Sequence, residues 1–434
     1  MTTRTAPTGG SRVRMFVAVN LGNALEWYDW TVFAIFGIYF ASDFFHAGSD
    51  ISNLLSVLAV FAAGFVMRPL GGLFFGRLAD RRGRSFVLLL TMSLVAVSSI
   101  LVAVAPTYEL VGVLASFWLV VIRCLQGFAH GGELGGAYTY IGEAAQPRNR
   151  ALWGSTVIMS TVVGTVLATL VGAVLASGFS EQQMTDWGWR IPFAIGGLLG
   201  LVALYLRRNM HETAVFTRSR ATRPPAGGEV FRSLWADRAS VLRVMVIVAG
   251  TTVFNYAWSV SAPAYAISFF GVNDQAGMWA GVAANLVFIA ALPLAAMLAD
   301  RVGRRTTFLA WGAAVAVCAF PLSGLLSSSA LSLLLAMSLA LIVQSLGAGL
   351  QVAWFAELFS TRSRATGVGI AVSVSGAIFG GTAPLLNSWL TAQGMANVFT
   401  WYVVGLAVLC MISASFTPET KGMDLTEEKV DLSL

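Results

Sequence analysis

Charged side chains are scarce in this sequence. Asp, Glu, Lys and Arg make up 11% of the 434 residues, against about a quarter in a soluble globular chain, and that shortfall excludes a water-soluble fold. Cysteine is scarcer: Cys124, Cys318 and Cys410 all lie in apolar runs, which excludes a disulfide framework and a metal cluster. Catalytic motifs are missing too. His211-Glu212 has no second histidine at the spacing of a zinc-protease helix, and there is neither a phosphate-binding glycine loop with lysine nor a nucleophile elbow, so enzyme chemistry is not expected. An excess of 27 basic over 21 acidic residues would suggest nucleic acid in a soluble chain. Here the arginines fall in short loops between apolar runs, so no nucleic-acid partner is expected.

What the chain has instead is apolar length. Hydrophobic residues are 57% of the total, and windows of mostly apolar residues fall at 15–40, 52–76, 86–105, 110–141, 151–178, 190–206, 241–270, 277–299, 306–325, 331–355, 365–390 and 397–416. A helix needs about 20 apolar residues to cross the hydrocarbon core. The pattern predicts an all-α integral membrane protein with twelve transmembrane helices, embedded in lipid, with little left for a soluble domain. The first span follows Arg4, Arg12 and Arg14 as a signal peptide would, but it is too long and has no small-residue cleavage site, so it is expected to stay. A cytoplasmic N-terminal segment, the even-numbered junctions with Arg243 at the edge of the seventh window, and the C-terminal tail together hold 24 of the 27 Lys and Arg, the exceptions being Arg68, Arg123 and Arg190. The opposite loops carry Asp43, Asp50, Glu109, Glu181, Asp186 and Asp274. The bias of basic residues toward the cytoplasm places both termini there, in a plasma (inner) membrane.

The chain also repeats itself. Leu78-Ala79-Asp80-Arg81-Arg82-Gly83-Arg84 returns 220 residues later as Leu298-Ala299-Asp300-Arg301-Val302-Gly303-Arg304. Glu143 with Arg148-Asn149-Arg150-Ala151 returns 214 residues later as Glu357 with Arg362-Ser363-Arg364-Ala365. Two motifs at corresponding junctions with nearly equal offsets predict two pseudo-symmetric six-helix bundles. The divisions are 1–206 for the first bundle, 207–240 for a linker with seven arginines, 241–416 for the second bundle and 417–434 for a cytoplasmic tail. The linker reads as a topology loop, with anionic headgroups as an alternative partner. Two bundles packed face to face can rock about a site between them, opening it to either side in turn, and a single chain supplies both, so a monomer suffices.

Gly76-x-x-x-Asp80-Arg81-x-Gly83-Arg84 and Arg123-x-x-Gln126-Gly127 resemble signatures of the major facilitator superfamily, and the likeness extends over nearly the whole chain. More narrowly, Gly22-Asn23-Ala24-Leu25-Glu26-Trp27-Tyr28-Asp29-Trp30, Arg68-Pro69-Leu70-Gly71-Gly72, Gln126-Gly127 with Gly131-Gly132-Glu133, and Trp187-Gly188-Trp189-Arg190-Ile191-Pro192-Phe193 resemble the metabolite:proton symporter family. That family transports 2-oxoglutarate, citrate and other carboxylates, shikimate, and proline or betaine. Ala63-Gly64-Phe65-Val66-Met67-Arg68-Pro69 and Ile378-Phe379-Gly380-Gly381 look most like the 2-oxoglutarate permeases. The resemblance implies the major facilitator fold and import of a small organic acid with protons by alternating access. The proton gradient is then the driving force, with no bound cofactor or metal. It also implies cytoplasmic gates built from Asp80, Arg84, Glu143 and Arg148 and their repeat mates Asp300, Arg304, Glu357 and Arg362. Asp80 can pair with Arg81 or Arg84, or sit at a neighbouring helix N-terminus, worth about 0.3–1 kcal/mol. The alternative is that these charges only hold the loops in register. Ala296 stands where the first copy has Gly76.

Five ionisable residues fall inside spans: Glu26, Asp29, Arg68, Arg123 and Glu133. Each costs on the order of 3 kcal/mol near a helix centre, so a use is expected for them. Glu26 and Asp29 share one helical face, Arg123, Gln126 and His130 another, and the first and fourth spans can pair these charges. An ion-pair cluster that merely locks the bundle is the alternative, although buried pairs rarely add net stability. In the functional reading an anionic substrate competes for Arg123 or Arg68 and the displaced carboxylate, Glu26, Asp29 or Glu133, takes a proton. Substrate-binding candidates are Arg123, Arg68, Tyr28 and Gln126, with Asn255, Tyr256 and Trp354 from the second half. His130 reads first as a packing residue and second as a proton handler. Gly127, Gly131 and Gly135 read as a stripe for close helix approach.

The second half has no charge within its spans. Asn255, Tyr256, Trp258, Ser259, Ser261 and Tyr265, with Gln344, Gln351, Trp354 and Asn387, are expected to line a wet cavity, helix-to-helix hydrogen bonds being the alternative. Charge recognition thus falls to the first half. A zwitterion or shikimate-like substrate is the nearest alternative. A drug:proton antiporter is disfavoured because the fifth span lacks proline, a sensor because no extra domain fits, and osmosensing because only 16 residues follow Pro418.

Overall fold

The computed structural model describes residues 9–82, 84–131, 138, 141–142, 145–207, 235–360 and 364–425. Glu133, Gly135, Glu143 and Arg362, most of the expected linker, and the side chains of Asp80 and Arg84 lie outside the described residues. The architecture is all-helical, because in hydrocarbon each backbone N–H and C=O must be satisfied within its own segment.

Twelve rods follow the twelve apolar windows. In the first half they are α1 (Gly9–Phe44), α2 (Asp50–Arg82), α3 (Arg84–Ala103), α4 (Val113–His130), α5 (Arg150–Gly178) and α6 (Arg190–Arg207). In the second half α7 runs Arg238–Asn255, passes a π-turn at Tyr256–Val260 and continues as Ala262–Phe270. It is followed by α8 (Asp274–Val302), α9 (Arg304–Gly324), α10 (Ala330–Ala348 and Gln351–Leu358), α11 (Arg364–Ser375, a π-turn at Gly376–Gly380, then Ala383–Ala392) and α12 (Ala396–Ser415). Nine of these rods, among the described residues, are long and apolar enough to cross a membrane unaided, and Leu89–Ala103 and Arg190–Val202 add two shorter apolar helices. The remaining rod, α1, carries Glu26 and Asp29 at its middle.

The repeat is visible in the packing. α2 lies on α4 as α8 lies on α10, α3 on α6 as α9 on α12, and α3 on α4 as α9 on α10. The two bundles meet along α5 and α8, α2 and α11, and α1 and α7. At the end carrying the basic junctions, Arg150 Nε donates to the Gly142 carbonyl at 3.1 Å and Arg364 Nε to the Ala356 carbonyl at 2.8 Å. These are repeat mates making the same bond, and a Cβ on Gly142 would stand 2.6 Å from the Ala356 methyl across the seam.

Contact between α2 and α4 is backbone on backbone. A Cβ at Gly127 would collide with the Gly64 carbonyl, and one at Gly131 with the Arg68 carbonyl. That approach sets Arg68 and Arg123, one from each helix, side by side. Gly127→Ala should therefore lower the thermal midpoint by roughly 1–3 °C, from a strain of about 1–3 kcal/mol in a chain of 434 residues. Gly405→Ala, where an added Cβ meets nothing within 4 Å, should leave the midpoint unchanged in the same assay.

Candidate functional site

Arg68 and Arg123 are 4% and 1% exposed, and their guanidinium carbons stand over the same indole, Trp30, at 4.0 and 3.7 Å from its ring centre. Phe65 lies 3.9 Å below Arg68 and Phe33 4.3 Å from Arg123. Cation–π contact of this kind is worth about 2 kcal/mol when desolvated, and it replaces part of the water each cation has lost. Arg123 also donates from Nη1 to Gln126 Oε1 at 2.9 Å, and the Gln126 amide donates in turn to Asp29 Oδ2 at 2.8 Å. Asp29 further accepts from the Ser99 hydroxyl and lies 3.7 Å from Arg123. Gln126 thus serves as a neutral bridge between an arginine and a carboxylate.

Glu26 is held differently: His130 Nδ1 lies 3.1 Å from its Oε1. The helical faces expected from the spacing, Glu26 with Asp29 on α1 and Arg123, Gln126 and His130 on α4, are the faces that meet. The partners are reassigned, however, since neither arginine forms an ion pair with Glu26 among the described residues.

Between the bundles lies a cavity of ≈ 90 Å³ lined by Asn23, Trp27, Phe65, Arg68 and Thr161 from one half and Thr251, Asn255, Tyr256, Gln344, Gln351 and Ser373 from the other, among others. Open ligand pockets hold roughly 300–1,000 Å³, so the site is contracted. Among the described residues one cation and no carboxylate reach its wall. Asn255 and Tyr256, named from sequence as binding residues, line it. Tyr28, Gln126, Arg123 and Trp354 do not. The Tyr28 hydroxyl donates to the Pro192 carbonyl at 2.9 Å, and Trp354 packs on Phe308 at 5.3 Å between ring centres. Asn387 lies instead in a second cavity of ≈ 220 Å³ within the second bundle, with Trp258 and Tyr265. Helix-to-helix bonds also occur, Ser259 donating to Asn285 Oδ1 at 2.6 Å and Gln351 Nε2 to Thr251 Oγ1 at 2.8 Å.

At the basic end Glu357, fully buried, accepts from Arg150 at 2.8 Å across the seam, from Arg304 at 3.2 Å and from the Thr420 hydroxyl at 2.6 Å. Asp300 pairs with Arg304 at 2.9 Å and accepts from the Ala151 and Leu152 amides at 3.1 and 3.0 Å. Its carboxylate therefore sits at the N-terminus of α5, the placement considered for its repeat mate Asp80. Arg148 is exposed, and Arg150, two residues on, takes the ion pair. Sequence reasoning missed Arg150 as well as the segment after α12. Glu419 accepts from the amides of Arg304 and Arg305 at 2.8 and 3.1 Å, and the Met423 carbonyl accepts from Arg150 at 2.9 Å. The available signal was the arginine shared by both copies at 150 and 364. At the opposite end Tyr39 donates to Asp274 Oδ2 at 2.7 Å, again between bundles.

The family model of the Major Facilitator Superfamily matches residues 19–287, and that of "Sugar (and other) transporter" matches 228–432. The chain belongs to the Major Facilitator Superfamily. Among its relatives, the alpha-ketoglutarate permease of Escherichia coli (strain K12) is 34% identical over 95% of this chain and 96% of its own length. The citrate-proton symporter of Klebsiella pneumoniae is 31% identical over 94% and 92%, and a provisionally assigned proline/betaine transporter of Staphylococcus haemolyticus is 30% identical over 93% and 87%. In fold the chain is similar to the proton:xylose symporter XylE bound to 6-bromo-6-deoxy-D-glucose, with a TM-score of 0.73 at 20% identity over 95% and 97% of the two chains. This member of the superfamily is an integral membrane transporter and not an enzyme.

The seam contacts join the two bundles at the basic end. Glu357→Ala would leave Arg150 without a carboxylate and Arg304 with Asp300 alone, a loss of about 3–5 kcal/mol. The expected result is a lower thermal midpoint in detergent, with the Gly142 side of the seam more accessible to hydrogen exchange. An unchanged midpoint would show that Glu357 carries no such load.

Proposed function

We propose that the chain imports a small dicarboxylate without hydrogen-bond donors, 2-oxoglutarate being the type, together with protons, by alternating access. The observation that carries this reading is a surplus of donors. Nε and Nη2 of Arg68, Nε and Nη2 of Arg123, Nε1 of Trp30 and the Tyr256 hydroxyl are buried without a hydrogen-bond partner among the described residues. They form one neighbourhood, for both guanidiniums share Trp30, and Tyr256 packs on Phe65 at 5.6 Å, under Arg68. A buried donor left unpaired costs about 1–3 kcal/mol. Groups kept at that cost point to a ligand that brings acceptors and negative charge.

2-Oxoglutarate offers only acceptor oxygens. Proline would add N–H donors and a positive charge beside two cations, betaine a quaternary cation, and shikimate three hydroxyls. The names of the Escherichia coli and Klebsiella relatives support an organic anion, and the second of them supports proton coupling. Arg68 on the cavity wall is the first anchor for a carboxylate. Arg123, behind Trp30 and tied to Asp29 through Gln126, is reached when the indole moves aside. Asn255, Tyr256 and Gln351 supply the neutral wall. Tyr28 and Trp354 shape the site from behind.

The seam contacts act as gates in this reading. Asp300, Arg304 and Glu357, with Arg150, close the cytoplasmic end, and Tyr39 with Asp274 closes the other. The repeat extends the inner gate to Asp80, Arg84, Glu143 and Arg362, with Arg148 at its exposed rim. Both termini are then cytoplasmic in the plasma membrane, and one chain functions by itself.

Reconstituted into proteoliposomes, the protein should accumulate labelled 2-oxoglutarate only under an inward proton gradient. Arg68→Gln should cut that uptake by roughly 10–100-fold, the worth of a charged hydrogen bond of about 1.5–3 kcal/mol. Tyr256→Phe should raise KM by about 3–10-fold through a single lost hydroxyl. No gradient-driven uptake of 2-oxoglutarate, or preferential accumulation of proline or shikimate, would overturn the proposal.

A further inference from the structure

We propose that the transported proton is taken by His130 at Nε2 while Glu26 holds its other nitrogen, and that substrate charge on Arg68 and Arg123 is what admits it. The inference rests on the anion-binding reading above and adds the group that couples it to protons.

The two carboxylates of α1 differ in how fully they are satisfied. Asp29 has the Ser99 hydroxyl, the Gln126 amide and the nearby Arg123. Among the described residues Glu26 is held by His130, whose Nδ1 lies 3.1 Å from its Oε1, with both side chains buried. Since an ionised carboxylate accepts only, Nδ1 carries the hydrogen and Nε2 is the acceptor nitrogen. Nε2 is buried and has no partner among the described residues. Imidazole is the side chain that ordinarily changes charge near neutral pH.

The imidazole also sits against the substrate site. Its ring centre is 5.4 Å from that of Trp30, the indole over which both guanidiniums stand. The titratable and charged groups facing the pair are Asp29 from α1, Arg68 from α2, Arg123 from α4 itself and Tyr256 from α7; from α3 the Ser99 hydroxyl reaches Asp29 and Gln126. In the empty site the formal charges of Arg68, Arg123, Asp29 and Glu26 cancel, and a cation at His130 would face two others. A dianion on the guanidiniums reverses that field, and a proton at Nε2 then removes one of the added negative charges from a low-dielectric site. The proton comes from water entering the cavity, forms an N–H bond at Nε2 and leaves an imidazolium–carboxylate pair with Glu26. Departure of the anion restores the repulsion and releases the proton on the same side. Because such coupling is reciprocal, each ligand tightens the binding of the other.

The test uses the purified full-length protein with 2-oxoglutarate as probe. Wild type should take up protons from weakly buffered solution when 2-oxoglutarate is added, and its Kd should weaken by up to tenfold per unit rise in pH through the neutral range, the slope for one linked proton. In His130→Gln the proton uptake should vanish and the pH dependence flatten. The ratio of gradient-driven accumulation to counterflow exchange in proteoliposomes should fall at least tenfold. If His130→Gln retains the slope and the proton uptake, His130 is not the carrier, while the anion-binding reading stands. If wild type binds no 2-oxoglutarate, both fail together. If His130→Gln does not fold, the slope in Glu26→Gln decides, and an unchanged slope there overturns the proposal.

Discussion

Two guanidinium groups buried in the middle of a membrane bundle need a substitute for water, and here one indole supplies much of it. Trp30 lies under both Arg68 and Arg123, which fixes how far apart the two cations can be and which way their remaining N–H groups point. Every other feature of the first bundle's core is arranged around that stack. Gln126 spaces Arg123 from Asp29, so that the carboxylate steadies the cation without saturating it. The glycines of α4 bring its backbone onto α2 and thereby set the two arginines beside each other. A fully paired guanidinium would be more stable in isolation, and the proposed anion site accounts for donors left unpaired.

The second bundle contributes in a different way. Its buried charges, Asp300, Arg304 and Glu357, sit at the basic end and none lines the cavity, and its polar side chains are largely engaged with one another, as Gln344 is with Trp311 and Thr251. Irregular backbone appears where the cavity is: the π-turns begin at Tyr256 in α7 and at Gly376 in α11, and both of these residues line it. Such turns mark places where a helix gives up regularity for a side chain's position. In the proposed reading charge is recognised by one half and shape by the other, while the two halves are tied at both ends of the seam by Glu357 with Arg150 and by Tyr39 with Asp274.

Much of this was legible in the sequence, and for identifiable reasons. A membrane span announces itself by length and composition, so the twelve rods and their repeat followed from apolar windows and two duplicated motifs. The meeting of α1 with α4 followed from three- and four-residue spacing. Pairing within that meeting did not. Spacing gives a face, not a partner, and it left open whether Glu26 would find an arginine or His130. Tyr28 and Trp354 were polar enough to suggest the cavity, yet Tyr28 is turned toward Pro192 and Trp354 toward Phe308, a matter of helix rotation that no single-sequence pattern records. The involvement of Glu419, Thr420 and Met423 at the basic end was invisible for another reason. Contacts 63 to 273 residues away in the chain leave no local periodicity.

The account's central claim is that the site is built for acceptors and negative charge, and the most direct test compares two molecules with the same carbon skeleton. Calorimetric titration of the purified protein with 2-oxoglutarate and with L-glutamate exchanges a keto oxygen for an ammonium and changes little else. The donor surplus predicts that 2-oxoglutarate binds at least about 30-fold more tightly, a difference of about 2 kcal/mol. Equal or tighter binding of L-glutamate would contradict it.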